Sequence, residues 1–256
     1  MLRRGYVHHG LRTVFFWAQK SACTTLFNTL TKNFGETNKH YHRSSLPWKE
    51  CLNIISSENY RSVAIVRNPA DRIISAYVNK LVTHKDEFLK TLDDLTDAAR
   101  KLHEEFCLLE RKKIDRNVMT FEDFLRTVEH LHKSRKNPNR NTVNGHWDTQ
   151  APPRMQTIGF RADRIIRVEN FQEEFGKLCE ELGMEYKGSH RNKTQQNDTG
   201  IKLAYIGNIP ADELSAYNLS KSAFLNAENA RKIHDLYKCD YEIFGYAKPQ
   251  VPQTSI

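Results

Sequence analysis

The chain has 256 residues, 39% of them hydrophobic and 27% charged, enough apolar material to bury a full core in one large domain spanning 1–256. Its 39 Lys and Arg against 31 Asp and Glu leave a net charge of +8 with a pI near 9.2, so an anionic partner is expected: nucleotide, acidic glycan, nucleic acid or membrane surface. The composition argues against a disulfide scaffold and a transmembrane helix. Five cysteines stand at irregular positions (23, 51, 107, 179, 239) without a C-x-x-C pair, and the apolar candidate near the N-terminus, Val14–Ala18, is only strand-sized. A reducing, cytoplasmic setting fits, with the Golgi lumen the alternative only if an N-terminal anchor has been removed.

The first informative stretch is Thr13–Phe34, TVFFWAQKSACTTLFNTLTKNF, read as strand, anion-binding loop and helix. Ser21, Ala22, Cys23, Thr24 and Thr25 would lie at a helix N-terminus, where unpaired N–H groups and the positive end of the helix dipole meet the loop. Lys20 adds a charge, Thr24 and Thr25 add hydroxyls, and no Asp or Glu occurs from Met1 to Gly35. The lysine stands at the start of this glycine-free loop, unlike the nucleoside-triphosphatase G-x-x-x-x-G-K-[ST]. From these residues alone two readings stand: an anion loop, or a buried strand before a capped helix with Lys20 solvated.

Residues 36–49 read as a polar loop with a short strand at His40–Arg43. Its histidines lack the Cys or carboxylate partners of a tetrahedral metal set, so no metal is expected. Arg61–Arg67, RSVAIVR, reads as a parallel strand covered on both faces. Asn68 suits an N-cap, Pro69 the first helical position and Asp71 the first turn of a helix to about Thr83. In an open α/β sheet, Lys20 and Arg67 would share the rim at the strands' carboxyl ends, and Ser75 lies two turns into the following helix, so one ligand with two anionic ends is implied. An incidental surface Arg67 and Ser75 remain the alternative.

The charged middle predicts a helical insertion over about 84–135, with helices at Asp86–Arg111 and Phe121–Lys133. Thr120 and Asp123 make a capping-box start, and Phe121, Phe124, Leu125, Val128 and Leu131 form one apolar face. His130–Trp147 is basic through Lys133, Arg135, Lys136 and Arg140, either a solvated loop or a lip that attracts an acidic glycan. Trp147 could offer a stacking face for a sugar ring. Arg164–Asn170 predicts a further core strand, Phe171–Leu182 a helix, Tyr186–Lys202 a second basic loop, and Asn226–Lys238 a last helix.

The run Lys20-Ser-Ala-Cys-Thr-Thr25 after a strand, followed by Arg67-Asn68-Pro69 with Arg72, Ser75, Ala76 and Tyr77, resembles the sulfotransferases that use 3′-phosphoadenosine-5′-phosphosulfate (PAPS). The wording is most like the carbohydrate branch that includes the HNK-1 and chondroitin 4-O enzymes. His146-Trp147 with Gln150 resembles a His-Trp motif of that branch, with Asp148-Thr149 where a proline is often found. Arg167-Val-Glu-Asn-Phe171 and the Phe244-Gly-Tyr246 ending are similar to it too. One departure is Asn68, where Asp is usual; both cap helices.

The resemblance implies an α/β fold, a P-loop-like parallel sheet flanked by helices, with the helical insertion and basic loops. It implies that Lys20 and Ser21–Thr25 hold the 5′-phosphosulfate, that Arg67 and Ser75 bind the 3′-phosphate, and that Arg191, Asn192 and Lys193 close over the nucleotide. The acceptor would be a hydroxyl-bearing molecule of the glycan class, with no metal, nucleic acid or membrane span expected. His146 is the first candidate for the base that takes the acceptor's proton, His42 the second and Glu36 the third. The rival readings are a nucleotide-dependent kinase-like enzyme and a non-catalytic binder of acidic glycans or nucleic acid.

Overall fold

A computed structural model of the chain describes residues 2, 4–85, 87–135, 143–152, 155, 157–188 and 204–250. Its elements in chain order are β1 (Arg4–His8), β2 (Thr13–Trp17), α1 (Cys23–Phe34), α2 (Asn38–Arg43), β3 (Leu46–Pro47), α3 (Trp48–Glu58) and β4 (Arg61–Val66). Next come α4 (Pro69–Tyr77), continued by a π-helical turn over Val78–Val82, and the short strands β5 (Thr83–His84) and β6 (Glu87–Phe88). They are followed by α5 (Asp97–Glu110), α6 (Phe121–Ser134), β7 (Arg164–Arg167), α7 (Phe171–Glu181), α8 (Ala227–Leu236) and α9 (Lys238–Phe244). The chain divides into two compact units. One takes the described residues within Met1–Asn68, Asp148–Arg191 and Cys239–Tyr246, the other those within Pro69–Trp147, Asn192–Lys238 and Ala247–Ile256.

The first unit is built on one mixed sheet, in the order β3-β1-β2-β4-β7. β2, β4 and β7 are parallel, with Phe15 opposite Val63 and Ile65 opposite Ile166, while β1 runs antiparallel to both β2 and β3. Side chains alternate across a strand, so each apolar run feeds two cores. Phe15, Trp17, Val63, Ile65 and Ile166 pack with Leu26, Phe27 and Leu30 of α1, Tyr41 of α2 and Phe175 of α7. Val14, Phe16, Ala18, Ala64 and Val66 pack on the other face with Cys51 of α3 and Phe244 of α9. Each such side chain contributes about 1.5–3 kcal/mol on burial. Gly5 allows α3 to approach β1: a Cβ there would lie 2.9 Å from Cys51 Sγ and from the Phe16 ring.

One local expectation changes in this unit, and three elements had not been expected. His40–Arg43 is helical, because the Thr37 side chain accepts from His40 N–H (3.3 Å) and starts a turn that the polar composition had hidden. α3, β1 and the two-residue β3 escape the pattern reading, β3 being a very short edge strand and β1 a short strand between β3 and β2.

The second unit is helical. Tyr77, Phe121, Phe124 and Phe224 form an aromatic knot with Tyr77 at 5.3–5.7 Å from the other three ring centroids, and Tyr77 Oη donates to Met119 O at 2.9 Å. α6 starts on the expected capping box, with Asp123 N–H donating to Thr120 Oγ1 at 3.1 Å and Thr120 N–H to Asp123 Oδ2 at 3.2 Å. The helix expected from Asp86 is a correction: α5 begins only at Asp97. Asp94 Oδ2 accepts from Lys90 N–H, Thr91 N–H and Thr91 Oγ1, at 3.2, 2.9 and 2.9 Å, a local turn that competes with helix. The helix after Pro69 likewise gives up α geometry at Tyr77, six residues before the expected end, where the π turn takes over.

Candidate active site

The loop between β2 and α1 is wound tightly without glycine. Ala18 N–H still donates to Ile65 O (3.4 Å), and Ser21 N–H turns back to Ala18 O (3.2 Å). Lys20 and Ala22 adopt the left-handed region, with φ of 67° and 52°. For residues with a Cβ this costs on the order of 1 kcal/mol each, a strain that clusters at binding loops. α1 then begins at Cys23 behind Ala22, which makes no side-chain cap bond, and has no acid in its first turn, whereas α2, α6 and α8 are capped by Thr37, Thr120 and Asn226. Lys20 is half-exposed and Thr24 exposed at this end, while Ser21 and Thr25 turn inward. An anion fits the arrangement, because the dipole, the first-turn amides and the Lys20 charge act on one place. Burial pushes the Cys23 thiol up, outweighing hydrogen bonds from Thr24 and the charge of Lys20, so Cys23 stays a neutral thiol.

Arg67 follows β4 directly, at the same end of the sheet. Its Nη1 donates to Lys20 O at 3.1 Å. The buried Gln150 joins the two strand ends: its Oε1 accepts from Arg67 N–H (2.9 Å) and Ser21 Oγ (3.3 Å), and its Nε2 donates to Arg67 O (2.8 Å). The next backbone N–H, that of Asn68, donates to Glu169 Oε1 at 2.7 Å, and Glu169 also accepts from Tyr246 Oη at 3.0 Å. Arg167 Nη2 donates to Phe244 O at 2.9 Å. The Arg-Val-Glu-Asn-Phe and Phe-Gly-Tyr segments thus buttress the turn after β4.

His42 extends from α2 with its ring edge-on to Trp17 (5.8 Å between centroids), which ends β2, and to Phe27 (4.6 Å), one turn into α1. Burial lowers its pKa, so it is neutral, the form that accepts a proton. Glu36 is engaged elsewhere, 3.5 Å from His40 Nδ1. Lys187 N–H donates to Thr29 Oγ1 at 3.2 Å, tying the start of the second basic stretch to α1. Arg191, Asn192 and Lys193 lie outside the described residues, as do Lys136 and Arg140 of the basic lip.

In the second unit Ser75 shares the half-exposed face of α4 with Asp71, one turn earlier, and Asp71 pairs with Lys221. The turn carrying His146 is held from beneath. Arg72, fully buried, donates through Nη1 to Gly145 O (3.3 Å) and His146 O (3.1 Å) and lies over the Tyr237 ring at 5.5 Å. Tyr237 Oη donates to Trp147 O at 2.6 Å. Trp147 corrects an expectation: it is 2% exposed and packs edge-on to Phe124, so its ring is core and presents no stacking face for a sugar. A cavity of about 690 Å³ beside α5, lined in part by Arg100, His103, Cys107, Leu108 and Ile114, includes none of the residues that the sequence singled out. Among the described residues no cluster of three or more His, Cys, Asp or Glu could hold a metal.

Arg72, Gln150 and Asp240 are the residues whose work the sequence reading left unassigned. Arg72 and Gln150 stood in quoted motifs, but their partners are 73 and 83 residues away, beyond any periodic signal.

The chain belongs to the sulfotransferase family, whose model matches residues 7–247. Neither the comparison with curated proteins nor that with solved structures returned a match. Family membership makes the chain a transferase of sulfuryl groups, and the α/β architecture of a central sheet flanked by helices is consistent with that fold. No helix among the described residues is long and apolar enough to cross a membrane.

Proposed function

We propose that this sulfotransferase takes PAPS as donor and passes its sulfuryl group to a hydroxyl of a carbohydrate acceptor. The observation that carries the reading is the juxtaposition of two cationic, anion-ready places at one end of the sheet, with Arg67 hydrogen-bonded to Lys20 O at 3.1 Å. One ligand with anionic groups at both ends of a ribose matches it. Lys20 and the first-turn amides of α1 would hold the 5′-phosphosulfate, and Arg67 the 3′-phosphate; Ser75 and Arg191–Lys193 keep the assignments that resemblance gives them. When bound, PAPS supplies the transferable sulfuryl group and a bisphosphate leaving group. Lys20 and the α1 N-terminus are fixed donors placed to stabilise negative charge on that leaving phosphate, the largest lever available to such a site. His42, neutral and braced against Trp17 and Phe27, is our choice for the base that takes the acceptor's proton, with His146 the competing choice. The carbohydrate assignment rests on the wording of the motifs. Labelled PAPS offered with a panel of glycans and small hydroxylated metabolites tests it: label on a glycan hydroxyl supports the reading, and label only on small metabolites, or no PAPS binding, sinks it.

A further inference from the structure

We infer that Gln150 is the positioning residue that sets the separation of the two anion places, and so the preference for a nucleotide carrying anions at both its 5′ and 3′ positions. This rests on the donor reading above. Gln150 is fully buried and meets no solvent from which a ligand could approach. One side-chain amide serves both backbone polar groups of Arg67, accepting from N–H at 2.9 Å and donating to C=O at 2.8 Å, as a neighbouring strand would, just where β4 has ended. That pairing fixes which end of the amide is oxygen. The same oxygen takes the Ser21 hydroxyl of the loop at 3.3 Å.

The amide is itself anchored. The N–H groups of Gln150 and Ala151 donate to the two carboxylate oxygens of Asp240, at 2.7 and 2.8 Å, and Gln150 O accepts from Leu2 N–H at 2.7 Å. Asp240, 90 residues away and fully buried, therefore holds the backbone from which Gln150 reaches. Charge-assisted bonds of this kind are short and stiff. A ribose holds its 5′ and 3′ substituents at a set spacing, so capturing both with one rigid site costs little ordering entropy only if the loop and Arg67 are already spaced to match. Gln150 touches neither end of that ligand. It fixes the residues that do.

The test compares equilibrium binding of adenosine 3′,5′-bisphosphate and adenosine 5′-phosphate to wild type, Gln150→Met, Gln150→Glu, Arg67→Ala and the Gln150→Met/Arg67→Ala double variant, with thermal unfolding run alongside. Methionine keeps the volume and loses all three amide bonds. Glutamate keeps the acceptor and sets an oxygen against Arg67 O. Both are expected to weaken the bisphosphate about tenfold while leaving the monophosphate within about twofold, and the double variant should bind no more weakly than Arg67→Ala alone. A merely structural residue would weaken both nucleotides together. Equal loss for the two nucleotides, or undiminished discrimination in both Gln150 variants, overturns the inference and leaves the donor reading standing. A wild type that does not distinguish the nucleotides overturns the donor reading and this inference with it.

Discussion

The two units use their motif residues in opposite ways. In the sheet unit, Lys20 and Arg67 stand part-exposed and His42 exposed at or beside strand ends, and the framework behind them is made of residues distant in sequence: Gln150, Glu169 and Asp240. In the helical unit, Arg72 and Trp147 are buried and hold the chain around His146, and Ser75 lies on a part-exposed helix face. A motif residue is thus no guide to whether it touches a ligand or supports one that does. Burial and hydrogen-bond partners decide.

Substitutions can break or sharpen that contrast. The largest effect is expected at the loop: Lys20→Ala should lower sulfuryl transfer by about 10²–10³-fold with the thermal midpoint little moved, since the side chain is part-exposed and the bond from Arg67 goes to the Lys20 backbone carbonyl, which alanine keeps. A fall in stability that matched the loss of activity would make Lys20 a framework residue. Next comes the base. His42→Ala should cost about 10²-fold or more in turnover and should abolish the acid limb of the rate profile. Neutral imidazole is the working form and burial lowers the pKa of His42, so wild-type turnover should fall only as pH drops below the usual histidine range. If His146→Ala removes that limb and His42→Ala does not, the base belongs to the helical unit.

Trp147→Ala reads the opposite kind of residue. As core it should cost about 3–5 kcal/mol of stability in denaturant unfolding, whereas a surface stacking ring would cost little there and much in acceptor KM. The smallest effect is at the start of α6, where Thr120→Ala should lose about 1 kcal/mol through the capping box and leave turnover unchanged.

Much of the sheet unit could be read in advance. The runs Val14–Ala18 and Val63–Val66 are apolar without alternation because helices cover both faces, and the loop stands out by a lysine, small residues and the absence of acids. α6 was legible for a local reason, its capping box and one-sided apolar face. What escaped was long-range or competitive. β1 pairs antiparallel on both sides and carries too few residues to show a period; α5 begins later than its charged run suggests because Asp94 folds onto Lys90 and Thr91; and Gln150 makes its bonds 83 and 129 residues away. The stacking role imagined for Trp147 failed because exposure cannot be read from a loop-like composition when Tyr237 and Phe124 close over the residue from elsewhere in the chain.

The central claim is that the Lys20 loop and Arg67 make one site for a nucleotide with two anionic ends. Isothermal titration of PAPS and of its 3′-dephosphorylated form into wild type and Arg67→Ala tests it most directly. Wild type should prefer PAPS by about 10- to 100-fold, the worth of a charge-assisted phosphate contact, and Arg67→Ala should bind the two forms alike. Equal affinity of wild type for both would contradict the account.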